Sequence, residues 1–255
     1  MLGKIIKYDF RYLNKMLLLI HAFLLMYTLA ARFILSPIAE KTNISDSILM
    51  LVILMYVIIL LATSFGTYIF IAVRFYKNLF SDEGYISRTI PVKSSTHLLA
   101  KTISGFIWAF LDTIILLATV FLLFSSSVFT SGSGDISEFL KYWGIGGVQI
   151  TIFVLTLIIG TLSNVVMIYI AIALGQTFAS HKVISSVAMY FVVSMAISII
   201  SMAVALPNVF SSFTEAIIEV TAISNLLGWT SLSSAVLTIV MYAISNYILN
   251  KKVDL

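Results

Sequence analysis

The sequence predicts an all-α polytopic membrane protein of six transmembrane helices, with an amphipathic helix at its N-terminus and both termini in the cytoplasm. Composition is the first reason. Of the 255 residues 60% are hydrophobic and 10% charged, and the mean hydropathy is +1.09, whereas about a quarter of the residues of a soluble domain are charged. The second is periodic apolar length. Six runs are each near the ~20 residues that cross about 30 Å of hydrocarbon as helix. The third is the placement of charge. With the N-terminus inside, twelve of the fifteen Lys and Arg residues fall on the inner side, and Glu40, Asp46, Asp135, Glu138, Glu215 and Glu219 fall outside. The net charge of +4 therefore follows membrane sidedness and does not point to nucleic acid. Absence of cysteine rules out disulfides and thiol chemistry.

The chain is expected to form one transmembrane domain over 1–255. Residues 1–15, MLGKIIKYDFRYLNK, are amphipathic at 100° per residue. Lys4, Lys7, Arg11 and Lys15 group on one face, and Leu2, Ile5, Ile6, Phe10 and Leu13 on the other. Such a helix lies on the inner leaflet with its bases toward lipid phosphates. Asp9 falls on the apolar face, where a carboxylate is costly unless paired. Either the helix packs on protein there and a Lys or Arg meets Asp9, or neighbouring Lys side chains solvate it locally.

The spans are read as 16–35, 47–73, 102–124, 148–174, 183–206 and 230–249. The first is too long, and lacks a small-residue cleavage site, for a signal peptide. The second runs on past the membrane, because RFYKNLF keeps helical spacing until Asp82-Glu83-Gly84, where Gly84 suits a left-handed cap. Ile90-Pro91 imposes extended backbone, and Ser94 or Ser95 caps a new helix leading into the third span. SSSVFTSGSGD reads as a flexible outer loop, and DISEFLKYW as a short helix capped by Asp135 with Tyr142 and Trp143 at the interface. GIGG at 144–147 is a loop or a helix start. Within 207–229, Ser212 and Glu215 have capping-box spacing, so a helix is expected there in the outer interface; an outward extension of a span is the alternative.

Several chemistries lack their residues. No phosphate-cradling G-x-x-x-x-G-K-[ST] occurs, no H-E-x-x-H, and no nucleophile elbow. No catalytic, metal or cofactor site is expected in this chain. Asp112 is the one acid inside a predicted span, about 15 Å deep. It should face protein or water, at a cost of about 2.5–3.5 kcal/mol. With no Lys or Arg at that depth, hydroxyls such as Thr156 or Ser194 are its candidate partners, or it is protonated. It is then either a proton or cation site or an interhelical hydrogen bond. Asn164 with Gly160, and Ala62 with Gly66, read as helix-packing positions. Tyr56, Phe65, Tyr68, Tyr190 and Met195 either line a path for an apolar substrate or face lipid and neighbouring helices.

The passage 74–101 is a helix, a turn and a second helix, which is the form of a docking surface for a soluble protein. Here the sequence resembles a known family. Phe80, Ser81, Asp82, Glu83, Gly84, Tyr85, Pro91, Val92, Leu98, Leu99 and Lys101 match the first cytoplasmic loop of bacterial six-helix ABC exporter permeases, the type-two ABC membrane-protein family. IIKYDFRYLNK resembles that family's connecting helix, with Asp9 where an acid commonly follows Tyr. Ile86, Arg88 and Ile90 depart from the pattern. The resemblance implies a permease subunit in the bacterial plasma membrane that works as a homo- or heterodimer. It implies a separate ATPase partner holding ATP and Mg. It further implies a cytoplasmic coupling helix engaging that ATPase through Phe80, Asp82, Glu83, Gly84, Tyr85 and Pro91, braced by Asp9 and Arg11 of the connecting helix. Its substrate would be hydrophobic or amphipathic and peptide-like. An ion-coupled secondary transporter using Asp112, and a non-transporting immunity or sensor subunit, are the alternatives.

Overall fold

Apolar side chains that recur every three or four residues bury a stripe along each of six long helices. The computed structural model describes residues 2–35, 45–81, 93–130, 146–178, 180–214 and 220–251, with backbone alone at 124–130, 208–214 and 220–224. In chain order the helices are α1 (Leu2–Ile34), α2 (Asp46–Phe80), α3 (Ser94–Thr130), α4 (Gly147–Gly175), α5 (Lys182–Thr214) and α6 (Val220–Lys251). No strand occurs among the described residues. All six helices are long and apolar enough to cross a membrane. They alternate in direction, so one end of the bundle carries residue 2, the 80–94 and 175–182 connections and residue 251. This is called the basal end below.

The helices form two groups joined by α4. On one side α1 packs against α2 and α3; on the other, α5 packs against α4 and α6. The main core gathers Leu13 and Leu17 of α1, Ile71 and Phe75 of α2, Trp108 of α3, and Val165, Ile168 and Tyr169 of α4. A second core, toward the opposite end, joins Leu24, Ala31, Val52, Tyr56 and Leu123. Most of α5 faces outward, as an apolar helix does beside lipid.

The structure differs from the sequence reading at the helix ends. The segment 1–15 is continuous with the first span rather than separate from it. The reason is a single inward stripe, Asp9, Leu13, Leu17, His21, Leu24, Thr28 and Ala31, whose three- and four-residue spacing passes through residues 15 and 16 without a break. No helix begins at Ser212. The backbone is helical from Lys182 through Pro207 to Thr214, and α6 opens at Val220, so the described part of 207–229 extends the two flanking helices; Glu215 lies outside the described residues. A proline removes one backbone donor, and here the helix continues past it. Residues 125–130, read as loop, extend α3, since no Gly or Pro interrupts the chain before Gly132.

Helix α2 runs past the predicted span as expected, but it ends at Ser81, whose backbone is extended, short of the Gly84 cap that the sequence suggested; Gly84 lies outside the described residues. Helix α4 starts at Gly147, and Gln149 Oε1 accepts from the Gly146 N–H at 3.0 Å. Helix α3 begins at Ser94, so Lys93, not Ser94 or Ser95 as the sequence suggested, stands at its cap, and the Lys93 carbonyl accepts from the N–H groups of Thr96 and His97. The short helix expected at 135–143 lies outside the described residues.

Candidate functional site: two buried polar clusters joining α1, α2 and α3

Asp9 is 1% exposed and Lys101 2%. The stripe of α1 turns Asp9 inward, and Lys101, in the second turn of α3, reaches it from across the bundle. Lys101 Nζ donates to Asp9 Oδ2 at 2.6 Å, and Arg74 Nε of α2 donates to Oδ1 at 3.0 Å. One carboxylate thus ties three helices together. The Arg74 guanidinium also lies 4.2 Å over the Tyr12 ring, a favourable cation–π position. The sequence reading asked for a Lys or Arg at Asp9; the structure supplies both. Arg11, by contrast, is exposed and takes no part.

The backbone beside Lys101 is braced as well. Tyr169 Oη of α4 donates to the Lys101 carbonyl at 3.0 Å, and the Tyr169 ring stacks on Phe75 at 4.0 Å. This approach needs Gly105, since a Cβ there would stand 2.5 Å from Tyr169 Oη. His97 is buried nearby, with neither ring nitrogen hydrogen-bonded to a described residue.

Three turns deeper lies a second cluster. His21 Nε2 is 2.8 Å from Asp112 Oδ1, and Thr67 Oγ1 donates to the same oxygen at 2.9 Å. His21 Nδ1 donates to the Leu17 carbonyl at 2.7 Å. His21 is 3% exposed and Asp112 1%. Between the clusters stands an apolar layer of Leu13, Leu17, Ile71 and Trp108, with Trp108 tilted against Phe10 and His21.

The partners of Asp112 therefore come from α1 and α2, not from Thr156 or Ser194 as the sequence suggested. Thr156 Oγ1 donates within its own helix to Ile152. Apolar length alone does not set His21 against Asp112. Counted from the observed helix starts, His21 is the 20th residue of α1 and Asp112 the 19th of α3, and the two meet. The usable signal was the i, i+4 stripe from Asp9 through Leu13 and Leu17 to His21.

The five residues considered for a substrate path do not converge. Phe65 and Met195 point outward, 66% and 68% exposed, so they face the bundle's surroundings. Tyr56 is buried near the opposite end and donates to Thr119 Oγ1 at 3.1 Å. Only Tyr68 and Tyr190 come together; Tyr68 lies beside Asn164 of α4 and within electrostatic reach of Asp112. Asn164 is exposed and nothing stands within 4 Å of the place of a Gly160 Cβ, so these two do not make the close helix contact the sequence suggested. Gly66 does, with Ile20 3.8 Å from the place of its missing Cβ.

Phe80 closes α2, its ring 6.0 Å from Phe75. Asp82, Glu83, Gly84, Tyr85 and Pro91 lie outside the described residues. Among the described residues no three His, Cys, Asp or Glu side chains gather as a metal site would need. At the opposite end Arg32 Nη1 donates to the Leu122 carbonyl at 2.9 Å, pinning α1 to α3 there too. No family model, curated protein or solved structure matches the chain.

Proposed function

We propose that this chain is the permease subunit of an ATP-driven exporter in a bacterial plasma membrane, with its ATPase on a separate subunit that engages residues 80–91. The observation that carries this reading is the Asp9, Lys101 and Arg74 cluster. Arg74 lies on the α2 side of that connector and Lys101 on the α3 side, and Asp9 joins both to α1. A push on the connector would enter α2 and α3 together and reach α1 through a buried ion pair rather than dissipate in a loose loop. The absence of a phosphate-cradling motif from the sequence makes a partner ATPase, with its ATP and Mg, necessary to this mechanism.

Sidedness supports placing the partner at the basal end. Lys4, Lys7, Arg11, Lys15, Arg74, Lys77, Lys93, Lys101, Lys182 and Lys251 all fall there, which is the positive-inside pattern of a cytoplasmic face. The exposed bases of α1 suit acidic lipid headgroups. A second permease subunit would complete the transport path, and the apolar surroundings of Tyr68 and Tyr190 suit a hydrophobic or amphipathic, peptide-like substrate.

The test is co-purification with the candidate ATPase and measurement of substrate-stimulated hydrolysis. Glu83→Lys with Tyr85→Ala should abolish stimulation while the bundle stays folded. Full ATPase binding and transport by that variant would refute the assignment. One observation favours a second reading, an ion-coupled transporter: Asp112 has a titratable partner, His21. That reading requires transport without ATP and its loss in Asp112→Asn.

A further inference from the structure

Among the described polar groups inside the bundle, His21 and Asp112 are those whose hydrogen bonding fixes a proton count. His21 Nδ1 faces the Leu17 carbonyl at 2.7 Å. A carbonyl oxygen only accepts, so Nδ1 carries a hydrogen. The other ring nitrogen, Nε2, lies 2.8 Å from Asp112 Oδ1. Two lone pairs do not approach that closely, so one hydrogen lies between them. It belongs either to an imidazolium facing a carboxylate or to a carboxylic acid facing a neutral imidazole. Both arrangements contain the same atoms: the pair has no net charge and holds one exchangeable proton. The Thr67 hydroxyl, donating to the same oxygen at 2.9 Å, is compatible with either.

We propose that His21 and Asp112, oriented by Thr67, form a proton-binding site inside the bundle, and that its proton holds α1 against α3. Release of that proton to water leaves one negative charge with no cation to meet it. If Nδ1 keeps its hydrogen, the Nε2 lone pair then faces a carboxylate. If the hydrogen moves to Nε2, Nδ1 loses its bond to Leu17 and faces a carbonyl instead. Each outcome loses a buried hydrogen bond and leaves an unbalanced carboxylate in an apolar interior, which is costly.

Among the described residues nothing nearby compensates. The groups around Asp112 are Thr67 and Tyr68 from α2, Trp108 on its own helix, and, beyond Tyr68, Asn164 from α4 and Tyr190 from α5. None of these is a cation. Lys101 lies three turns away and is engaged with Asp9. Deprotonation therefore favours separation of the helices and entry of water at Asp112; rebinding one proton reverses it. The inference holds whether transport is driven by ATP or by ions, because it concerns what keeps these helices together.

The test uses the full chain in lipid nanodiscs. Nitrogen-15 NMR of labelled histidine follows His21 from pH 5 to pH 10. In the same pH series, spin labels at Leu29→Cys and Phe121→Cys, two exposed positions on α1 and α3 in a chain with no other cysteine, report the interhelical distance. The expected result is loss of one proton from the pair in a single step as pH rises, with a shift to longer α1–α3 distances at the same pH. In Asp112→Asn, an amide N–H donates to a neutral Nε2 with no exchangeable proton, so the step should vanish and the short distance persist at high pH. If the unsubstituted protein shows a distance that does not follow the His21 step, the proposal is overturned whether or not the variant folds. A His21 titration unchanged by Asp112→Asn overturns it as well.

Discussion

Lys101 Nζ and the Asp9 carboxylate meet at 2.6 Å across α1 and α3, both side chains almost wholly withdrawn from solvent. Separated by 92 positions in sequence, they join the start of the chain to the first turns of the third helix. Arg74 adds α2 to the same contact.

Truncating Lys101 leaves Asp9 with Arg74 alone. Lys101→Ala should lower the stability of the detergent-solubilised protein by about 1.5–3 kcal/mol, the usual worth of a hydrogen bond to a charged group. Asp9→Leu combined with Lys101→Met should recover only part of that loss, because those two charges leave together while Arg74 loses the Asp9 carboxylate. Thermal unfolding of the two variants and of each single substitution closes a double-mutant cycle, and additive losses would show that the pair is not coupled.

Gly105 and Tyr169 form a tight contact of another kind. Gly105→Ala should push the Tyr169 hydroxyl off the Lys101 carbonyl and cost about 1–3 kcal/mol, as overpacking does. Tyr169→Phe should cost only about 0.5–1.5 kcal/mol for its lost hydrogen bond. Combined, the two should cost less than their sum, because phenylalanine removes the oxygen that the new methyl meets. Denaturation midpoints of the three variants measure this.

Gly175 makes a harsher version of the same demand at the turn from α4 to α5. A Cβ there would overlap the Oγ, Cα and N atoms of Ser186, and backbone atoms cannot rotate away. Gly175→Ala should therefore destabilise the protein more than Gly105→Ala, and Ser186→Ala should not rescue it. In the same turn His181 has φ of 52°, a left-handed conformation that favours glycine. His181→Gly should leave the unfolding temperature unchanged or raise it, whereas His181→Val should lower it.

The inward aromatic residues can be separated from the outward ones by function. If substrate passes beside Asp112, Tyr68→Phe and Tyr190→Phe should each raise the half-stimulating substrate concentration about 2- to 10-fold, the value of one hydrogen bond. Phe65→Ala and Met195→Ala should leave it unchanged, since both side chains point away from the bundle. Substrate-stimulated ATPase activity with the partner subunit measures all four.

Six spans, the helical run through Phe80, the start of α4 at Gly147 and the need of Asp9 for a cation could all be read along the chain. Each follows from a local quantity: apolar length, helical period, or the cost of burying a carboxylate. Helix ends were less legible, because apolar length marks where lipid contact stops rather than where backbone hydrogen bonding does. That is why the sequence suggested a boundary at Met16 inside what is one helix from Leu2 to Ile34, and another at Pro207 inside one that runs from Lys182 to Thr214.

By itself, then, the sequence determined that this chain forms six apolar helices and that Asp9 and Asp112 could not stand alone inside them. The tertiary structure decided who answers each: Lys101 and Arg74 at Asp9, His21 and Thr67 at Asp112. Those choices depend on the rotation and axial offset of each helix against its neighbours. Both are set by side chains distant in sequence that pack together, such as Leu17, Ile71, Trp108 and Tyr169 in the shared core. Hydropathy averages over a helix and carries no record of either.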